Sequence, residues 1–339
     1  MTSSRISRRH WRRFAPGRRS EGLRSGEGQY GGARLSPADR GAPRVEVHAR
    51  MNPSLRAPID LLHQGVERSV GCYLVETDDG LALFDCGPTT TLPALRDGLA
   101  ERGYELGEIR HLLLSHIHFD HAGAAGALVR EHPSLQVHVS VIGAPHLIDP
   151  ARLEASARRL YGDTFDSLWG ELVPVPEGNI HIVGERVVGL ECFPSPGHAS
   201  HHVSMLHDDG TLYVGDSVGV RIAPARFVVA PTPPPDIDLE AWSETIAATE
   251  SRAPARLALT HFGVFDDVQE HLARLRETLR VWSERVAHGM DEQAFSAAAC
   301  ADVLASDPEM AERYDSPAPY WQCYAGLERY WRKQRESAT

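Results

Sequence analysis

The segment from His116 to His121 constrains this chain more than any other, because it places three imidazoles and one carboxylate within six residues. Such a cluster suits neither an apolar core nor a free surface, whereas imidazole and carboxylate ligands suit zinc, and also iron or manganese. If the chain is extended, His116 and His118 point to the same side and can reach one ion. Asp120 and His121 follow at a turn and can face a second ion beside the first. The segment therefore predicts a metal site.

Three further candidate ligands each follow an apolar run that is typical of a β-strand. His198 and His261 can each add an imidazole, and the Asp216 carboxylate can bridge two cations. Loops at the ends of rigid strands are common positions for functional residues. His201 and His202 lie close enough to His198 to be candidates for contacting substrate or supporting ligands. For the other histidines we expect ordinary core or surface roles: His63, His138, His146, His181, His207, His271 and His288.

Composition excludes several classes of function. The chain has 35 basic and 46 acidic residues, yet residues 1–50 hold 12 Arg and only 4 acidic residues, so the remainder is strongly acidic. An acidic body disfavours nucleic acid as a partner. The only lysine is Lys333, which excludes Schiff-base chemistry near the candidate ligands. No stretch approaches the roughly 18 apolar residues that span a bilayer, so we expect no membrane partner.

The cysteines and the amino-terminal segment provide evidence on the cellular compartment of the protein. The cysteines are dispersed without a CxxC pair, which predicts buried thiols in a reducing cytoplasm. Residues 1–50 are rich in Arg, Gly and Ser, and we predict a disordered extension. The arginine pairs near Trp11 resemble a twin-arginine export signal, but no apolar stretch follows them. The five cysteines are Cys72, Cys86, Cys192, Cys300 and Cys323.

Apolar periodicity predicts an α/β body over residues 51–265 and a helical region over 266–339. Strands alternate with helices in the body, which indicates two sheets packed together with helices outside. A hairpin is expected around Asp78-Asp79-Gly80. The carboxyl-terminal region carries apolar stripes at helical spacing, which we interpret as core packing, with a dimer seam or a lid over the substrate as alternatives. The stripes are Val268, Leu272, Leu275, Leu279, Trp282 and Val286, and then Tyr320, Tyr324, Leu327 and Trp331.

The four motifs, in order and spacing, resemble the metallo-β-lactamase superfamily and its glyoxalase II-like hydrolase branch over roughly residues 56–265. The resemblance implies an αββα sandwich with two divalent metal ions between the sheet edges. It assigns one metal to His116, His118 and His198, and the other to Asp120, His121 and His261. Asp216 would bridge the metals, and Asp85, at the end of another strand, would support the ligands from behind.

The resemblance implies a metal-dependent hydrolase that cleaves an ester, thioester or lactone in a small molecule. Two cations, zinc first, would hold a hydroxide nucleophile that Asp120 orients. Ser195, beside Pro196, is not expected to be a nucleophile. Two alternatives stay open: a mononuclear-iron sulfur dioxygenase on the same ligands, and a binding protein without turnover.

Features near the site bear on the substrate. Glyoxalase II typically has a set of basic and aromatic residues that binds glutathione. Residues 221–229 do not contain that set. Lactonases of the superfamily often have a tyrosine where this chain has Gly219, and the most familiar β-lactamases have a cysteine where it has Asp216. We expect a small-molecule substrate, and a homodimer through the carboxyl-terminal helices stays an alternative to core packing. Five aromatic residues are candidates for pocket walls, although we favour core packing for each: Tyr161, Phe165, Trp169, Phe227 and Tyr320.

Overall fold

Two six-stranded sheets face each other in the computed structural model, which describes residues 56–314 and 316–337. The predicted extension over residues 1–50 lies outside the described residues. The first sheet contains β1 (Ile59–Asp60), β2 (Gly71–Thr77), β3 (Gly80–Phe84), β4 (Ile109–Leu113), β5 (Gln136–Val139) and β6 (Ile180–Ile182). The second contains β7 (Arg186–Val187), β8 (Leu190–Pro194), β9 (Val203–Leu206), β10 (Thr211–Gly215), β11 (Arg256–Leu259) and β12 (Gly263–Phe265). In both sheets the spatial order of the strands follows the order along the chain.

The alternation of side chains along β2 shows how the layers form. Tyr73 and Val75 face the second sheet and join an apolar cluster that both sheets share. Cys72 and Leu74 point the other way, towards the outer helices. Both faces are buried, so the strand is a nearly continuous apolar run. The hydroxyl of Tyr73 donates to the backbone carbonyl of Leu259 (2.7 Å), which ties the two sheets together.

Helices cover both outer faces, so the predicted αββα sandwich is confirmed. The helices of the first half are α1 (Leu92–Glu101), α2 (Phe119–Ala122), α3 (Ala125–Glu131), α4 (Ala144–Ile148), α5 (Ala151–Tyr161) and α6 (Phe165–Trp169). Those of the second half are α7 (Leu239–Ser251), α8 (Val268–Ala287), α9 (Glu292–Ser306), α10 (Ala311–Tyr314) and α11 (Tyr320–Ser337). Side chains from α1 and α3 pack on the first sheet, and side chains from α7 and α8 pack on the second.

The structure refines several predicted elements. The hairpin at residues 78–80 is confirmed. Residues 146–170 are divided among three helices, because Pro150 begins α5 and Gly162, with a φ of 55°, ends it. The short strands β1 and β12 were not predicted, since two or three residues carry no detectable periodicity.

The carboxyl-terminal helices share a core with the sandwich. The apolar stripe of α8 is buried along its whole length, as the core-packing interpretation predicts. Its first four members pack on the second sheet, and Trp282 and Val286 pack against α9 and α11. The Trp282 ring lies 5.4 Å from Phe295 and 6.0 Å from Tyr320, measured between ring centroids. The domain boundary near residue 265 and the homodimer stay predictions.

All five cysteines lie in the described part of the chain as free thiols, and four of them are buried. Across residues 56–314 and 316–337, no helix combines the length and the apolar character needed to cross a bilayer.

We predict that Trp282→Ala lowers the free energy of unfolding by about 3–5 kcal/mol, because a fully buried indole leaves a cavity that the helices cannot close. Chemical denaturation followed by circular dichroism measures the change. Trp321→Ala on α11 is the matched control, since Trp321 is 39% exposed, and we expect less than about 0.5 kcal/mol. Equal effects of the two substitutions would contradict the packing described for α8.

Three histidines lie side by side on neighbouring strands at the end of the first sheet where β4 begins. His111 on β4 and the buried His138 on β5 are joined through their ring nitrogens at 3.1 Å, and His181 on β6 stacks 5.2 Å from His138. The other ring nitrogen of His111 donates to the backbone carbonyl of Asp79 at 3.2 Å, and the Asp79 carboxylate pairs with Arg110. Burial, and then His111 and His181, lower the pKa of His138 to about 4.

We predict that His138 makes the fold acid-sensitive. Its pKa in the unfolded chain is higher, so the unfolded chain binds the extra proton, and this contribution to stability is lost as the pH falls from about 6.5 towards 4. His138→Gln should reduce the loss of unfolding free energy over that window by about 1–2 kcal/mol. Urea unfolding of chelator-treated protein at several pH values measures it, with exposed His288→Gln as the control. An unchanged pH dependence in His138→Gln would refute the prediction.

Candidate metal centre

Four strands of the two sheets end at one edge of the sandwich, and each delivers candidate ligands just beyond its last residue. The segment from His116 to His121 follows β4, and His198 follows β8. Asp216 comes directly after β10, and His261 lies two residues beyond β11. Residues that are far apart in the sequence therefore converge. The structure brings all seven predicted ligands into overlapping groups of potential ligand atoms, each group within 4.8 Å.

The first group joins His116, His118 and His198. The Nε2 atom of His116 lies 2.9 Å from Nδ1 of His118, and Nε2 of His198 lies 3.0 Å from the same atom. The other nitrogen of His198 donates to the carbonyl of Pro231 at 2.8 Å, so Nε2 directs its lone pair into the group. Burial lowers the pKa of His116 and His118 well below the ordinary value, and neighbouring imidazoles lower it further. The rings are therefore neutral, which is the form that binds metal.

The second group joins Asp120, His121 and His261. The carboxylate of Asp120 lies 3.2 Å from Nε2 of His261 and 3.7 Å from Nε2 of His121. The far nitrogen of His261 donates to the carbonyl of Ser69, which orients the ring. Both histidine rings are buried, whereas the Asp120 side chain is 21% exposed and faces the open side of the site.

Asp216 lies between the two groups. One carboxylate oxygen is 3.5 Å from Nε2 of His121 and 3.6 Å from Nε2 of His261. The other oxygen is 3.4 Å from Nε2 of His198. Although burial opposes ionisation, His121, His261 and His198 hold the pKa of Asp216 well below its usual range. The carboxylate is therefore charged and touches both groups.

A cation fits this site because polar atoms are buried there without partners. Nε2 of His121, Nε2 of His261 and Oδ1 of Asp216 have neither solvent contact nor a hydrogen-bond partner. An unpaired buried polar group costs about 1–3 kcal/mol, so three together need an explanation. Once both rings are neutral, all three atoms offer lone pairs, and a divalent ion would satisfy them together.

The buried carboxylate of Asp85 holds these segments in place. It accepts hydrogen bonds from the backbone N–H of Ser115 (2.9 Å), the Ser115 hydroxyl (2.9 Å) and the Thr260 hydroxyl (2.7 Å). It also accepts from Nδ1 of His121 at 2.7 Å, which directs Nε2 of that ring towards Asp216. Asp85 thus orients the His121 ring.

His201 and His202 differ in their surroundings. His202 accepts the backbone N–H of Asp216 at 3.1 Å and contacts the Ser195 hydroxyl at 2.8 Å, so it supports the Asp216 backbone. Ser195 is fully buried, which fits the prediction that it is not a nucleophile. His201 stacks beside His116 at 5.9 Å, and its buried Nδ1 has no partner. Burial, then His198 and His146, lower the pKa of His201 to about 3.

Aromatic residues form one wall beside the site. Phe119, which separates two of the candidate ligands in the sequence, packs against Phe165 and Trp169. Tyr161 contacts Trp169 at 5.4 Å and is half-buried. Phe227 and Tyr320 instead pack with Trp282 in the core beneath the carboxyl-terminal helices. Of the five predicted wall residues, these two belong to that core.

Sequence reasoning missed the groups that fix the ligand rings from behind. Ser69 and Pro231 act through backbone carbonyls, and Ser115 acts through its backbone and hydroxyl. Every residue type has a backbone carbonyl, so the roles of Ser69 and Pro231 become visible only in the folded structure. For Ser115, the one indication in the sequence was that it directly precedes His116.

Residues 65–261 match the family described as the Metallo-beta-lactamase superfamily. The protein YobT of Bacillus subtilis (strain 168) is 30% identical over 57% of this chain and 82% of its own length. The metallo-beta-lactamase fold-containing protein ST1585 of Sulfurisphaera tokodaii is 29% identical over 50% of this chain and 67% of its own length. An N-acyl homoserine lactonase of a Bacillus species is 27% identical over 47% of this chain and 64% of its own length.

Solved structures show the same fold. The metallo-beta-lactamase family protein TTHA1429 of Thermus thermophilus superimposes with a TM-score of 0.57 at 20% identity, over 78% of this chain and 89% of that chain. The crystal structure of ST1585 gives a TM-score of 0.52 at 22% identity, over 66% of this chain and 84% of that chain.

We predict that Asp85→Asn weakens metal binding by about 10–100-fold, because the amide replaces an acceptor of several hydrogen bonds and no longer fixes the His121 ring. Competition with a chromogenic chelator measures the affinity for Zn²⁺. Asp208→Asn is the control, since the Asp208 side chain is 83% exposed. Unchanged zinc affinity in a folded Asp85→Asn protein would show that the network does not position the ligands.

Proposed function

The chain belongs to the metallo-beta-lactamase superfamily and is a metal-dependent hydrolase, and we propose that it uses two divalent cations to cleave an ester, thioester or lactone bond in a small molecule. The observation that carries the proposal is the convergence of seven imidazole and carboxylate side chains, several of whose buried lone pairs lack protein partners. Lactones come first among the substrates, because relatives named N-acyl homoserine lactonases match 40–47% of this chain.

We assign one cation to His116, His118 and His198, and the other to Asp120, His121 and His261. Asp216 contacts residues of both groups and would be shared by the two cations. The mixture of nitrogen and oxygen ligands suits zinc, and iron or manganese are the alternatives. Two such cations would activate a water molecule and stabilise the negative charge that develops on the carbonyl oxygen.

Asp120 is positioned and charged so that it can accept a proton and donate it again. Burial opposes its ionisation, but His121 and His261 lower its pKa well below the usual value, so the carboxylate is charged at neutral pH. It also faces the open side of the site, where substrate and water arrive. We propose that Asp120 orients the attacking water, accepts its proton and returns it to the leaving oxygen once the acyl–oxygen bond breaks.

The charged groups nearby favour a substrate of low charge. Arg221 is buried, pairs with Asp267 at 2.7 Å and lies over the ring of Phe265, so its charge is already compensated. Arg226 pairs with Glu270 at 3.3 Å. Neither arginine offers a free charge for an anionic substrate such as a glutathione thioester. The glyoxalase II-like branch therefore stays a prediction, and neutral esters and lactones rank ahead of glutathione thioesters.

The absence of a tyrosine at position 219 has a steric cause. Gly219 has a φ of 86°, and a Cβ atom there would lie 2.7 Å from the carbonyl oxygen of Val229 and 2.9 Å from side-chain atoms of Val228 and Leu275. A larger residue therefore cannot enter without moving the backbone. If the enzyme is a lactonase, another element must supply the hydrogen bonds to the substrate.

We predict that protein reconstituted with Zn²⁺ binds about two equivalents and hydrolyses a neutral lactone or ester, and that chelation abolishes activity until metal is restored. Elemental analysis and a panel of lactones, aryl esters, thioesters and phosphodiesters test this on one preparation. Asp216→Asn should reduce kcat/KM by at least about 100-fold and lower the metal content, because it weakens the bridging ligand.

Asp266→Asn is the matched control, since the Asp266 side chain is 83% exposed. Protein isolated without added metal distinguishes the alternatives. One iron per chain together with oxygen consumption would refute the hydrolase proposal. A protein that binds two metals and yet turns over nothing in the panel would refute the substrate class.

A further inference from the structure

Tyr161 occupies the aromatic wall beside the candidate metal centre, although it comes from a helix outside the four strand ends. It is the last residue of α5, and its ring packs against Trp169 at 5.4 Å. Trp169 in turn lies 5.7 Å from Phe119, which directly precedes Asp120 in the chain. Through these contacts, Tyr161 belongs to the same aromatic group as Phe119, the neighbour of the partly exposed Asp120.

The hydroxyl of Tyr161 is held by a residue from the carboxyl-terminal helix. Nε2 of Gln322 on α11 donates to the phenol oxygen at 3.3 Å. Because the oxygen is used as an acceptor, the O–H proton stays free to be donated. Among residues 56–314 and 316–337, no oxygen accepts that proton. The geometry therefore leaves a preoriented donor beside the site.

The phenol is also kept in its donor form. Burial, and then the negative charge of Asp120, raise the pKa of Tyr161 to about 12. The hydroxyl is therefore protonated throughout the pH range in which an ester is stable enough to be assayed.

We propose that Tyr161, oriented by Gln322, donates a hydrogen bond to an oxygen of the scissile ester. This inference rests on the proposed ester or lactone hydrolysis. It also assigns α11 a role in the site, because its Gln322 fixes the phenol. Gly219 cannot carry such a donor, so the fold supplies it from α5.

Tyr161→Phe tests the donor, because it keeps the ring and removes the hydroxyl. For an ester or lactone that the wild type hydrolyses, we expect kcat/KM to fall about 10–100-fold, with zinc content and Tm unchanged. Calorimetry should also show about tenfold weaker binding of a non-hydrolysable ketone analogue of that substrate. Tyr104→Phe, on the loop after α1, is the matched control and should retain wild-type kinetics.

Variants of Gln322 test whether the amide acts through the phenol. Gln322→Ala should lower kcat/KM by about 3–10-fold and have no further effect in a Tyr161→Phe background, because the two residues form one unit. Gln322→Glu should be worse than Gln322→Ala, since a carboxylate would accept the phenol proton and withdraw the donor.

The outcomes separate the two proposals. An active wild type with Tyr161→Phe kinetics within about twofold overturns the inference and leaves the hydrolase proposal intact. A loss of activity that follows lost zinc or a lowered Tm also overturns it, because the hydroxyl would then be structural. Additive effects of the Tyr161 and Gln322 substitutions overturn the role of α11. A wild type that hydrolyses no ester or lactone overturns both proposals.

Discussion

The buried carboxylate of Asp85 is the interaction on which the geometry of the site depends. A charge without solvent contact is unfavourable unless it is fully hydrogen-bonded. Asp85 meets this requirement with donors from three segments: Ser115 after β4, His121 on α2 and Thr260 after β11. The same bonds that stabilise the charge align both sheets at their common edge. The position of the ligands is therefore part of the energetics of the fold.

Three of the ligand rings are fixed at the nitrogen that faces away from the metal position. His121 is fixed by Asp85, His198 by the carbonyl of Pro231, and His261 by the carbonyl of Ser69. A hydrogen bond at one ring nitrogen sets the tautomer and leaves the other nitrogen as a lone pair. These hydrogen bonds therefore hold three of the ligand rings in a defined orientation.

Features that depend on a few neighbouring side chains could be predicted from the sequence. Contacts that backbone groups make could not. Three histidines and an aspartate within six residues identify a metal motif, and His198, Asp216 and His261 follow strands whose ends converge. The apolar spacing of α8 likewise predicts its buried face. No residue type marks a carbonyl such as that of Pro231, and nothing local pairs Gln322 with Tyr161, which lie 161 residues apart. Such contacts depend on tertiary packing, which short-range patterns do not encode.

The arrangement separates metal binding from substrate selection. Residues that hold the ligands lie behind them and are buried, so they cannot contact a substrate. Asp120 is partly exposed, and the aromatic wall beside its neighbour Phe119 contains Tyr161 and Trp169, which α5 and α6 carry. The Tyr161 hydroxyl is a neutral donor, and Arg221 nearby is already paired with Asp267. A neutral donor in a partly buried wall stabilises an ester oxygen without attracting a polyanion. Selectivity should therefore depend on residues 151–169 and on the packing of α11, while the strand ends supply the metal chemistry.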